Sequence, residues 1–256
     1  LKGFSILIIL PTVLTKSYNP FILTASRTIY NCVMSPQQSV QEVFRTADCV
    51  CFDVDSTVIQ DEGIDELAKF CGKGDEVKRL TAEAMGGSMT FQEALKKRLD
   101  IIRPNVNQVR EFLEKTPIHL TPVKVLHEKG VNVYLVSGGF RSLIEPVAVK
   151  VGIPITNIYA NRLKFFFNGE YAGFDENEPT SRSGGKGLVI RRLKEQYGYQ
   201  RLVIIGDGAT DAEASPPADG FIGFGGNVVR EEVKRKAAWY VTDFQELIAA
   251  LAIQTK

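Results

Sequence analysis

Two carboxylates, Asp53 and Asp55, follow the apolar run Val50-Cys51-Phe52 with one residue between them, and the polar pair Ser56-Thr57 comes next. An ionised acid at the end of a buried strand is costly unless it binds a cation or takes part in a reaction, so the pair reads as an active site. A second acidic turn, Gly206-Asp207-Gly208-Ala209-Thr210-Asp211, follows another apolar run, Leu202-Val203-Ile204-Ile205, far along the chain. In a parallel α/β sheet the carboxyl ends of the strands share one edge, where distant acids converge on one divalent cation. Taken alone, an Asp-x-Asp turn serves equally as an Asx turn or a helix cap.

The elements that must position these acids are legible in outline. Gly63 to Lys115 contains no convincing strand and reads as helices at Ile64–Phe70, Asp75–Ala84, Phe91–Ile102 and Val106–Leu113, with Gly72, Gly86-Gly87 and Pro104 as stops. An all-helical block between two β/α regions predicts an inserted lid. Pro122–Glu128 reads as a short helix, and Val131–Val136 as a strand ending in Ser137-Gly138-Gly139. Asn168-Gly169 between aromatic runs signals a hairpin with a type I′ turn. A helix over Lys186–Tyr197 leads into the strand before Asp207. A weak strand over Ala218–Gly223, a helix over Val228–Lys236, a strand at Trp239–Val241 and a helix over Phe244–Ala252, capped by Asp243, close the chain.

With 256 residues, 44% of them hydrophobic, the chain can bury a sizeable core, and its net charge of +1 carries no basic stripe for nucleic acid. The densest basic run, Lys234-Arg235-Lys236, reads as a solvated helix face. Cys32, Cys49, Cys51 and Cys71 form neither a disulfide framework nor a zinc pattern, which points to a reduced, cytoplasmic protein with buried thiols at Cys49 and Cys51. The apolar stretch Phe4–Leu14 is too short for a membrane span. Residues 1–33 hold no acid but several cations and hydroxyls, the composition of an organelle-targeting or secretory leader. They read alternatively as a non-native extension, with the fold starting near Met34.

Four polar stations thus stand at strand ends or a helix start: Asp53/Asp55, Ser137-Gly138-Gly139, Lys186 and Asp207/Asp211. In this combination the chain resembles the haloacid dehalogenase superfamily. Within it, Glu62-Gly63, Ala84–Gly87 with Phe91 and Arg98, Ser137–Arg141 and Gly184-Gly185-Lys186 are similar to the motifs of the phosphoserine phosphatase family, from about Ser39 to the C-terminus. The resemblance implies a Rossmann-like, mostly parallel sheet flanked by helices, made of residues 34–62 and 118–256, with a helical cap at 63–117 and a β-hairpin. It implies Mg²⁺-dependent hydrolysis of O-phospho-L-serine, the last step of serine biosynthesis. Asp53 would be the nucleophile, Asp55 the general acid and base, and Lys186 a partner of the phosphate or of the nucleophile.

By the same resemblance Asp53, the Asp55 carbonyl, Asp207 and, through water, Asp211 would hold Mg²⁺. Ser137, the amides of Gly138 and Gly139, and Thr210 would take phosphoryl oxygens. Glu62 would receive the substrate ammonium and Arg98 its carboxylate, with Met85, Gly86 and Phe91 closing over the ligand. Locally, Glu62 also reads as a helix-start charge, Arg98 as a solvated helix residue, and Met85 and Phe91 as core. Another small phosphomonoester, such as a sugar phosphate, and a catalytically impaired binding protein are the alternatives; the resemblance leaves room for a homodimer. Members of the family carry about five more residues between Leu120-Thr121-Pro122 and the Ser-Gly-Gly strand, which leaves Val123–Glu128 near the lower limit of helical stability.

Overall fold

The computed structural model describes residues 36–83, 89–121 and 131–252. An opening helix α1 (Pro36–Arg45) precedes strand β1 (Cys49–Phe52), after which come four helices, α2 (Gly63–Phe70), α3 (Gly74–Glu83), α4 (Phe91–Ile102) and α5 (Val106–Lys115). The chain then alternates: β2 (Asn132–Phe140), α6 (Arg141–Val151), β3 (Ile158–Asn161), the hairpin β4 (Leu163–Phe165) and β5 (Tyr171–Phe174), α7 (Gly185–Tyr197), β6 (Leu202–Gly206) and a short α8 (Ala209–Ala212). It closes with β7 (Gly220–Phe224), α9 (Glu231–Lys236), β8 (Trp239–Val241) and α10 (Phe244–Ala252).

Six strands form one sheet in the order β3-β2-β1-β6-β7-β8, parallel at every pairing. The strands are apolar on both faces because helices cover both. Val50, Phe52, Val133, Leu135, Val203 and Ile205 pack with α1, α6 and α10, whereas Cys49, Cys51, Leu202 and Ile204 meet Val189, Ile190 and Leu193 of α7. Leu135 is fully buried, so truncating it to alanine costs about 2–5 kcal/mol. A third core joins α2, α3, α4 and α5 to Tyr171 and Phe174 of the hairpin and Phe140 of β2. Reciprocal capping boxes open α4, Thr90 with Glu93, and α5, Asn105 with Gln108.

Strand β1 lies centrally, with Phe52 in register with Leu135 on one side and Ile205 on the other. The residues that follow all three strands therefore leave the same edge of the sheet. The Asp53 amide continues the ladder for one more bond, to the Ile205 carbonyl at 2.9 Å.

Four expectations are corrected. Strand β2 runs on through Ser137-Gly138-Gly139 to Phe140, directly before α6, rather than ending at Val136, because β3, absent from the sequence reading, continues to pair as far as Phe140 with Asn161. The hairpin is not a two-residue type I′ turn: β4 and β5 are joined by residues 166–170, and of Asn168 and Gly169 only Gly169 has positive φ, 85°. Helix α9 begins at Glu231, not Val228, since Arg230 stays extended at φ −110°, ψ 109° while its side chain reaches across the sheet edge. The weak strand expected over Ala218–Gly223 is β7, Gly220–Phe224, shifted one to two residues along the chain. The short helix at Pro122–Glu128 and the leader at 1–33 lie outside the described residues.

Candidate active site

The turn after β1 is a single wide loop, closed by Ile59 N–H donating to the Val54 carbonyl at 3.0 Å. Inside it Ser56 is fully buried at φ 55°, a left-handed conformation that a non-glycine residue rarely holds. Several bonds hold it there. Ser56 N–H donates to the Asp61 carbonyl at 3.1 Å, Ser56 Oγ donates to Glu62 Oε1 at 2.9 Å, and Asn227 Nδ2 donates to the Ser56 carbonyl at 3.0 Å and to Thr121 Oγ1 at 2.8 Å. Asn227 follows β7 at the same sheet edge and thus ties down the acidic turn from a distant part of the sequence.

Within this frame Asp53, Asp207 and Asp211 converge, each offering a carboxylate oxygen within 4.8 Å of the others. Lys186, buried at the start of α7, bridges Asp53 Oδ1 at 2.9 Å and Asp211 Oδ1 at 2.7 Å. Burial opposes the Lys186 ammonium, but Asp211 and Asp53 outweigh it and raise its pKa. Asp53 Oδ1 also accepts from Val54 N–H at 2.8 Å; no donor among the described residues reaches its Oδ2. Asp207 accepts from Thr57 Oγ1 at 3.2 Å and from Arg230 Nε at 2.8 Å, and Asp211 Oδ2 accepts from Gly208 N–H at 3.0 Å. The Asp211 carboxylate is accommodated because residue 206 is glycine: a Cβ there would lie 2.3 Å from it. Thr210 stands beside it on α8, partly buried.

Burial, and then the Asp53 charge, raise the pKa of Asp207. Burial pushes Asp211 up to about 8, with Asp53 adding to the effect against Lys186. Such a crowd of acids accommodates added positive charge, and the donor set is entirely hard oxygen, which suits Mg²⁺ better than zinc. The three residues therefore fit a divalent cation.

Asp55 faces the other way. Its Oδ1 accepts from Gly63 N–H at 2.8 Å, and Ser137 Oγ approaches Oδ2 at 3.4 Å. Burial, followed by the charges of Glu62 and Asp53, pushes it up to about 8. Gly139 is required here: a Cβ would meet Asp55 Oδ2 at 2.6 Å and Ser137 Oγ at 3.2 Å, and its amide donates to Ser137 Oγ at 2.9 Å. Gly138 lies under Phe91 of α4, whose ring would be 2.8 Å from a Cβ.

Glu62 precedes α2 and is bound to Arg230 Nη2 at 3.0 Å as well as to Ser56. Burial and the Asp207 charge raise its pKa. Arg98 lies on α4, half-buried, with Nε donating to the Ala94 carbonyl at 3.3 Å. Met85 and Gly86 lie outside the described residues. Sequence reasoning missed Arg230 and Asn227. A signal existed for Asn227, because Gly225-Gly226-Asn227 follows an apolar strand and so falls at the carboxyl edge; Arg230 was hidden inside an apparently continuous helix.

A parallel sheet with helices on both faces and an acid–lysine cluster at its carboxyl edge places the candidate site where α/β folds bind their ligands. The chain belongs to the haloacid dehalogenase-like hydrolase family, whose model matches residues 47–219. It is 58% identical over 223 residues to phosphoserine phosphatase from Bos taurus, covering 85% of this chain and 99% of that one. Among solved structures it is similar to that of DsGPDH of Dunaliella salina, at 33% identity and TM-score 0.73, covering 83% of this chain but spanning only 37% of the other. It is also similar to a phospho-aspartyl intermediate analogue of phosphoserine phosphatase, at 27% identity and TM-score 0.68, covering 79% of this chain and 98% of the other.

Proposed function

We propose that the protein hydrolyses O-phospho-L-serine to L-serine and phosphate through an aspartyl-phosphate on Asp53. The observation that carries this reading is the asymmetry of the Asp53 carboxylate: Oδ1 is held by Lys186 and Val54 N–H, and Oδ2 has no donor among the described residues. A carboxylate fixed by one oxygen is aimed by the other. In the first step Asp53 Oδ2 bonds to phosphorus, the ester P–O bond breaks, and Asp55 gives its proton to the departing serine oxygen. In the second, Asp55 takes a proton from water as that water attacks phosphorus, and phosphate leaves Asp53. Gly63 N–H orients Asp55 for both transfers.

Lys186, Ser137, the amides of Gly138 and Gly139, and Thr210 hold the phosphoryl oxygens. Asp53, Asp207, the Asp55 carbonyl and, through water, Asp211 would hold Mg²⁺, which would supply charge neutralisation for the phosphoryl group. Residues 63–117 act as a cap that brings Arg98 to the substrate carboxylate, opposite Glu62 of the core at its ammonium, with Met85, Gly86 and Phe91 contacting the ligand. Opposite charges at the two ends select an amino acid over an alkyl or sugar phosphate. The free cysteines Cys49, Cys51 and Cys71 support a reduced, cytoplasmic setting, and among the described residues no helix is long and apolar enough to cross a membrane.

A phosphate-release screen with and without Mg²⁺ tests this reading. Phosphoserine should exceed phosphothreonine, phosphotyrosine and sugar phosphates, and chelation should silence all turnover. A sugar phosphate as the preferred substrate would overturn the assignment.

A further inference from the structure

The ligand end of the site contains two charged groups on neighbouring helices that lack partners suited to them. Arg98 lies on α4, whose Leu95 and Leu99 share a core with Ile64, Leu67 and Ala68 of α2. Yet among the described residues its guanidinium makes one bond, from Nε to the backbone of its own helix. On α2, Asp65 lies one turn beyond Glu62. Among the described residues its Oδ1 is shut off from solvent with no hydrogen-bond donor, and in the absence of ligand the two side chains form no ion pair. A buried acceptor without a donor is costly to leave unmade, and a guanidinium with free N–H groups is the complementary donor. Burial lowers the pKa of Arg98, and the acids that offset this are Asp65 first, then Glu62 and Asp55.

We propose that Asp65 is a positioning residue for Arg98: its carboxylate takes one edge of the guanidinium and turns the other edge toward the ligand carboxylate. A guanidinium presents its donors as a rigid planar fork, so fixing one edge fixes the direction of the other. Glu62, already bonded to Ser56 and Arg230, is left for the ammonium. This assignment rests on the reading that Arg98 meets the substrate carboxylate.

The test is steady-state kinetics of the full chain with phosphoserine and with phosphoethanolamine, which lacks the carboxylate. Asp65→Asn keeps the shape and removes the charge. It should raise KM for phosphoserine about tenfold with kcat little changed, leave KM for phosphoethanolamine within about twofold, and add nothing in an Arg98→Ala background. Asp65→Glu should recover part of the loss. Equal KM increases for both substrates, a fall confined to kcat, or no change would overturn the proposal. Arg98→Ala separates the two levels. If it discriminates between the substrates while Asp65→Asn does not, positioning fails and the carboxylate reading stands; if it harms both equally, the reading fails and the proposal with it. Should Asp65→Asn not fold, Asp65→Ser is read by the same criteria, and unfolding of both variants would make Asp65 a structural residue and overturn its role.

Discussion

The acidic centre and the ligand end of this site are built differently. At the strand ends, Asp53, Asp207 and Asp211 are anchored by a sheet register, a buried lysine, an arginine and backbone amides, and among the described residues Asp53 Oδ2 is left without a donor. On the helices, the partly buried Arg98 and Asp65 have donors and an acceptor left over among the described residues. The chemistry is thus preorganised by the fold, while the groups assigned to recognition await a ligand to complete them. Rate should depend on the first region and discrimination on the second.

The largest effects should come from the centre. Asp53→Asn removes the anionic oxygen and should lower kcat by more than about 10⁴-fold, read by phosphate release. Asp55→Asn leaves the nucleophile but removes proton transfer, with an expected loss of about 10²–10⁴-fold in kcat and a smaller change in KM. Gly139→Ala introduces a Cβ 2.6 Å from Asp55 Oδ2 and should lower kcat by about 10–100-fold, with the thermal midpoint little changed, because an acid displaced by less than an ångström loses its aim. A KM effect without a kcat effect in any of these would blur the distinction between the two regions.

At the ligand end, Arg98→Ala should raise KM for phosphoserine about 10–150-fold and that for phosphoethanolamine much less. The smallest effect is expected from the leader. A chain beginning at Met34 should fold and turn over as the full chain does, since α1 starts at Pro36 and every proposed site residue follows it. Insolubility or inactivity of that shorter chain alone would place residues 1–33 in the fold.

Much of this was legible because the acids recur in combination: Asp-x-Asp after one apolar strand is ambiguous alone, but Gly-Asp-Gly after a second and a lysine at a helix start narrow its use. The helices α2, α4 and α5 were read to within about two residues from their caps and stops. What escaped depended on partners distant in sequence. The strand before Ser137 looks complete at Val136 until β3 is known to pair beyond it, and β3 itself, Ile158–Asn161, is too short for its alternation to stand out. Arg230 reads as helix until Asp207 and Glu62 are found opposite, since its extended backbone is a consequence of those contacts. The need for glycine at 139 and 206 is likewise a tertiary fact, visible only when Asp55 and Asp211 occupy the space a Cβ would need.

Covalent trapping tests the central assignment most directly. The enzyme is mixed with phosphoserine labelled in its phosphoryl group, quenched in acid during turnover, digested and sequenced by mass. The label should appear as an acyl-phosphate on Asp53, in Mg²⁺ but not in chelator, and vanish in Asp53→Asn. Label on any other residue, or undiminished label in Asp53→Asn, would contradict the account.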